Sequence, residues 1–195
     1  MEFDWFLPTR GDGADVGPAT TDRGHNAAAL RRRPTLEYLG AVAQAAEQAG
    51  FSAVLTPTGS GCEDAGVVCA ALVPLTSRLH FLVAFRPGFV LPTLAAQQAA
   101  SFQRLSGGRL RLNIVTGGDP VEQRAYGDFL DHDERYARTG EFLEVLTRSL
   151  AGERFDVDGV HVRAENAGLT RPPPGAGLLG HQGPERPGGG GGCCP

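Results

Sequence analysis

Apolar residues along the chain fall into two alternating kinds of block. The first kind is short and almost wholly apolar: "FDWFLPT" (3–9), "FSAVLTP" (51–57), "LHFLVAF" (79–85) and "RLRLNIVTG" (109–117). Such runs, bounded by proline, glycine or polar turns, predict buried strands. The second kind is longer and recurs at three-to-four spacing. "TLEYLGAVAQAAEQAG" (35–50) sets Leu36, Leu39, Val42, Ala46 and Ala49 on one helical face and ends on Gly50, a residue favoured just past a helix. "CEDAGVVCAALV" (62–73) carries acids in its first turn, where the helix dipole favours them, and stops at Pro74. "LPTLAAQQAASFQRLSGG" (91–108) has Pro92 near its start and a Gly107–Gly108 exit, and "ERYARTGEFLEVLTRSL" (134–150) is the fourth helix.

Strand-then-helix units in succession, with strands apolar throughout, predict an α/β fold whose parallel sheet is buried by helices on both sides. An open doubly wound sheet would place a tight glycine-rich phosphate turn after the first strand. "PTRGDGADVG" lacks the G-x-G-x-x-G spacing, and no helix opens there. The other architecture, a (β/α)8 TIM barrel, takes about 250 residues, so four units make about half of one. "FDVDGVHVRAENAGLTRPP" (155–173) reads as a short hairpin and a proline-terminated segment. The remainder, "PGAGLLGHQGPERPGGGGGCCP", has no hydrophobic period and too little apolar surface to offset its ordering entropy. The expected organisation is a partial barrel domain over residues 1–172 and a disordered Gly/Pro-rich tail over 173–195, with the composition of a sequence read out of frame.

Charge narrows the function classes. Eighteen basic against 22 acidic residues give a net charge of -4, which argues against a nucleic-acid partner. Arg31–Arg32–Arg33 is read as a solvated loop. All 18 basic residues are arginine, so Schiff-base and P-loop chemistry, which need a lysine amine, are excluded. No targeting segment or apolar run of membrane-spanning length is present, which predicts a cytoplasmic protein. The four cysteines, at 62, 69, 193 and 194, form no CxxC pair, so neither a zinc site nor a disulfide framework is indicated.

In a barrel the chemistry gathers where strands end, which selects Thr9, Arg10 and Asp12, then Thr56, Thr58 and Cys62, then Arg86, then Asn113, Thr116 and Asp119. A rim of hydroxyls among glycine-rich backbone suits a planar, anionic ligand and offers no hydrolytic triad or HExxH helix. In "FLDHDERY", Asp131 and Glu134 form a capping box, which sets His132 in the first helical turn and Tyr136 four residues on, on the same face. Imidazole and phenol together at a positive helix end can grip a phosphate or a polar ring edge, or can simply be a surface helix start. Cys62 is a pocket-wall thiol before it is a nucleophile, because Glu63 and Asp64 oppose a lowered pKa; Cys69 belongs to the core. Arg86 pairs with an anionic ligand or with a carboxylate of the chain, and Phe6, Phe81, Phe85 and Phe102 read as core.

The motifs "WFLPTRGDG", "VLTPTGSGCEDA", "FLVAFRPG", "LPTLAAQQAASFQRLSGGRLRLNIVTGGDP" and "GDFLDHDERYARTGEFLEV", in that order over residues 3 to about 172, resemble the alkanesulfonate monooxygenases of the bacterial-luciferase-like flavin-dependent group. The resemblance implies a two-component system. A separate NAD(P)H-dependent FMN reductase supplies FMNH2, and an alkanesulfonate is converted with oxygen to an aldehyde and sulfite. It implies homo-oligomers at full length, Cys62 as the active-site cysteine, His132 and Tyr136 beside the flavin, and Thr116 and Thr58 on the flavin rim. Arg10 stands where that group has histidine in "PTHGDG". It also implies that this chain holds the first half of the barrel and is inactive by itself. Enzymes of the same group acting on a chelate or a long-chain aldehyde, and a non-catalytic flavin-binding or dimerising fragment, are the alternatives.

Overall fold

The computed structural model describes residues 2–13, 30–117 and 119–173. In chain order its elements are strands β1 (Asp4–Phe6), β2 (Asp12–Gly13) and β3 (Leu30–Arg32), helix α1 (Leu36–Gln48), strand β4 (Ala53–Thr56), helix α2 (Ala65–Leu72), strand β5 (His80–Phe85), helix α3 (Pro92–Ser106), strand β6 (Leu110–Ile114), helices α4 (Pro120–Ala125) and α5 (His132–Leu150), and strands β7 (Phe155–Asp158) and β8 (Arg163–Ala167). A single 3-10 turn, Val73–Leu75, follows α2.

Local chemistry sets the helix ends. Thr35 caps α1 by accepting the Tyr38 N–H, and Asp64 caps α2 by accepting the Val67 N–H. Pro92 opens α3 and Gly107 caps its end. Asp131 and Glu134 form the expected capping box of α5, each accepting the other's backbone N–H.

The central sheet is parallel, in the order β1–β4–β5–β6, with Val54, Phe81 and Leu110 in register and Thr56, Val83 and Leu112 two residues on. These residues face the helices. Phe81 meets Phe102 of α3 edge-on at 5.9 Å between ring centres, and Phe85 meets Phe142 of α5 at 5.6 Å. Phe81 and Phe142 are essentially inaccessible to water. Full burial of each such side chain contributes about 1.5–3 kcal/mol. The strands β2 and β3 pair antiparallel, as do β7 and β8, the latter two forming the expected hairpin.

The alternate residues point to the other side of the sheet. There Phe6, Leu55, Leu82 and Arg111 lie in one row, with Phe6 46% exposed and the rest half-buried. No described element covers that row. The expectation of a sheet buried by helices on both sides is therefore corrected: among the described residues the helices cover one face of an open four-stranded sheet. The first strand is likewise not buried, since Trp5 is 51% exposed and rests on Phe51. Phe6 is not a core residue for the same reason.

Smaller corrections follow from local geometry. The arginine run is not wholly a loop, because Arg32 ends strand β3 and approaches Asp12 of β2 at 4.0 Å. In α1 the buried stripe is Leu39, Gly40, Ala43 and Ala46, whereas Leu36 and Ala49 at the two ends face water. Glu63 and Asp64 precede α2 and do not occupy its first turn. The polar loop after β6 contains α4. The expected tail lies outside the described residues from 174 onward, as does most of the long first loop.

Candidate functional site

The exits of β1 and β4 are joined by backbone. Beyond β1, Gly11 donates to the Pro8 carbonyl, closing a turn that carries Thr9 and Arg10. Beyond β4, the Cys62 N–H closes a turn on Gly59, and the next N–H, of Glu63, donates 3.0 Å to the Thr9 carbonyl. The half-buried Cys62 thiol thus stands at the C-terminal end of the parallel sheet beside Thr9. Burial pushes this thiol above its ordinary value; the Thr9 hydroxyl and the Arg10 and Arg86 charges pull it down, and Glu122 pushes it up. A thiol held in its neutral form is a poor nucleophile at neutral pH. Thr9 is 1% exposed, and although its hydroxyl lies near the thiol it completes no well-formed hydrogen bond.

Arg86, at the exit of β5, has its guanidinium buried against two rings, 4.7 Å from the centre of Phe89 and 5.2 Å from that of Tyr126. Those rings stack on each other at 4.9 Å. Its anion is a carboxylate of the chain: Arg86 Nη1 lies 3.1 Å from Glu122 Oε2 and Nη2 lies 3.2 Å from Oε1. Glu122 also accepts the Ser60 N–H. Burial raises the Glu122 carboxyl, but the Ser60 N–H and Arg86 outweigh it and hold the group below the ordinary carboxylate range.

A second ion pair ties α5 to the segment before it. Asp128 takes both arms of Arg138 at 3.1 and 2.6 Å, with the Asp128 side chain 4% exposed. The Arg138 guanidinium lies against Gly88, whose φ of 98° and lack of space admit no side chain. Gly117 does the same for the Gln123 amide, which is buried with neither polar atom hydrogen-bonded. This amide packs beneath the loop that carries Thr116.

His132 and Tyr136 are brought together as the spacing predicts, their rings 4.8 Å apart at the start of α5. Both face water, the His132 side chain 69% exposed and Tyr136 55%, and His132 Nδ1 approaches Asp133 Oδ1 at 2.9 Å. No described contact joins this pair to Cys62. Thr58 and Thr116 are half-buried, and Thr58, with Arg86 and Phe89, reaches one end of a groove of about 630 Å³ between α2 and α3. Thr56 leaves the proposed rim altogether: it faces α2, its hydroxyl 3.0 Å from the Cys69 sulfur in the core. Asp12 is engaged by the Tyr38 hydroxyl at 3.3 Å, and Asp119 caps α4.

Glu122 and Tyr126 are the residues that sequence reasoning missed. A signal was there for the first, because an Asp119-x-x-Glu122 spacing with Pro120 between them marks a helix start. The partner of Glu122 was not legible, since its carboxylate turns to Arg86 and not back to the cap. No cluster of three or more metal-binding side chains occurs among the described residues, and none of their helices is long and apolar enough to cross a membrane.

Solved structures share this fold. A riboflavin lyase superposes with a TM-score of 0.74 at 24% identity over 89% of this chain and 48% of its own. The EDTA monooxygenase of Chelativorans sp. BNC1 gives 0.73 at 24% identity over 92% and 48%, and a long-chain alkane monooxygenase gives 0.73 at 19% over 89% and 49%. The chain thus spans about half the length of these proteins. Residues 1–185 match the model of one family along almost the whole chain, and the protein belongs to it: the luciferase-like monooxygenases.

Proposed function

We propose that this chain carries part of the active site of an FMNH2-dependent alkanesulfonate monooxygenase, in which alkanesulfonate, O2 and FMNH2 give aldehyde, sulfite, FMN and water. The observation that carries the reading is the docking of the Cys62 turn on the exit of β1, which sets a neutral thiol, the Thr9 hydroxyl and the Arg10 charge at one end of a parallel sheet.

The residues present fit a flavin. The Thr9 hydroxyl is buried without a completed hydrogen bond, Thr58 and Thr116 add half-buried hydroxyls, and His132 and Tyr136 present donors at a helix start. When bound, reduced flavin supplies two electrons and activates oxygen; it arrives from a separate NAD(P)H-dependent reductase. Cys62 lines the site without forming a covalent bond, because its thiol is held protonated. Arg86 is neutralised by Glu122, so its charge serves the turn and not an anionic substrate. The row of Phe6, Leu55 and Leu82 is not covered by any described element, and Phe6 is 46% exposed. Efficient oxygen transfer needs that face covered.

The test is an anaerobic fluorescence titration of reduced FMN, followed by sulfite release with a reductase present. The expected result is saturable flavin binding with sulfite at the flavin-only background for these 195 residues, and turnover once the open face is covered by the rest of a barrel. Absence of binding would overturn the flavin site. Turnover of a chelate or an alkane in place of an alkanesulfonate would overturn the substrate.

A further inference from the structure

We propose that Glu122 is a positioning residue for Cys62: from α4 its one carboxylate holds both the Ser60 backbone and Arg86, and so fixes the thiol's access to water and its distance from charge. The proposal rests on the reading of Cys62 as a wall of the ligand site.

The geometry is that of a clamp. Oε1 accepts the Ser60 N–H, two residues before Cys62, and Arg86 Nη2 at 3.2 Å, while Oε2 takes Arg86 Nη1 at 3.1 Å. Arg86 is fixed in turn by the Phe89 and Tyr126 rings. A methyl placed on Gly59 would stand 3.5 Å from Glu122 Oε1 and 3.9 Å from Cys62 Sγ, so the carboxylate and the thiol flank one glycine. The far side of the turn is held independently, by the Glu63 N–H on the Thr9 carbonyl. Glu122 is therefore the restraint on the near side. The charges that face the thiol are Arg10 from the β1 exit, Arg86 from the β5 exit and Glu122 itself. Removing the Glu122 charge takes away the anion that opposes thiolate and leaves Arg86 uncompensated, and both changes favour the thiolate.

The experiment follows iodoacetamide alkylation of the full chain from about pH 6 to 10, read at Cys62 by mass spectrometry of its peptide. Cys69, wholly buried, serves as the internal standard for an intact fold. Glu122→Gln keeps an acceptor for Ser60 and should lower the Cys62 midpoint by about 0.5 to 1 pH unit. Glu122→Ala also releases the turn and should raise the rate at a given thiolate fraction by about 3- to 10-fold. Midpoints and rates unchanged in both variants would overturn the proposal. Should Glu122→Ala open Cys69 to the reagent, that variant has unfolded and Glu122→Gln alone decides. The assay contains no flavin: an unmoved thiol profile beside flavin binding by the parent chain removes only the positioning role, while a shifted profile beside a parent chain that binds no flavin removes the flavin reading and leaves the positioning role standing.

Discussion

The Cys62 turn and the start of α5 carry the two halves of the candidate site, and the chain treats them differently. Around Cys62 the backbone is docked on β1, a carboxylate clamps Ser60 to Arg86, and two rings close over the guanidinium. At α5 the backbone is just as firmly set, by the capping box and by Asp128 holding Arg138, yet the His132 and Tyr136 rings project into water. The first region is organised by interactions within the chain, with the buried Thr9 hydroxyl left over. The second is presented on a rigid platform and waits for something to cover it.

The largest effect expected from breaking this contrast lies in the platform. Asp128→Ala leaves Arg138, whose side chain is 14% exposed, with no carboxylate beneath Gly88. Loss of one partner of so buried a pair costs about 3–5 kcal/mol, read as a lowered urea midpoint. Glu122→Ala should cost less, about 2–3 kcal/mol, because the Glu122 side chain is already 22% exposed. An equal loss in both variants would mean that the two regions are anchored alike.

Acid sharpens the same comparison. The Asp128 and Glu122 carboxyls are raised by burial but lowered more by Arg138 and Arg86 and by backbone N–H groups, so both end below their ordinary values of 3.8 and 4.5. The unfolded chain then binds these protons more readily than the folded one. Their stabilisation is complete above the ordinary values and is lost as pH falls through the lower folded values. Urea midpoints should hold near about pH 5.5 and fall by about pH 3.5, and Asp128→Asn should flatten that dependence. A parent midpoint insensitive to this change would remove the role assigned to the pairs.

What the sequence made legible follows the range of each interaction. The caps at Asp131 and Glu134, Pro92 at the start of α3 and the four parallel strands are set by neighbours a few residues apart, and the pattern shows them. The pairing of Arg86 with Glu122 joins residues 36 apart, and nothing local to either distinguishes a chain partner from an anionic ligand. The uncovered, partly exposed row from Phe6 to Arg111 escapes the pattern for a different reason. An apolar run looks the same whether its second face is covered by described elements or left open, because periodicity reports residue type and not the presence of a neighbouring layer.

The smallest expected effect separates folding from ligand contact most cleanly. Tyr136→Phe removes one hydroxyl from a half-exposed ring, and His132→Ala removes an imidazole that, among the described residues, approaches its neighbour Asp133 and the Tyr136 ring. Neither change opens a cavity or strands a buried charge, so urea midpoints should move by no more than about 0.5 kcal/mol in stability. If these rings hold flavin, each change removes about one hydrogen bond to it, and reduced-FMN affinity should fall by about 3- to 10-fold in the same preparations. Unchanged affinity with unchanged stability would make the α5 start a bare surface and leave the proposed site to the strand exits that carry Cys62, Thr58 and Thr116. A fall in stability would instead show that the exposed rings support the platform from outside, and the contrast between the two regions would be one of degree.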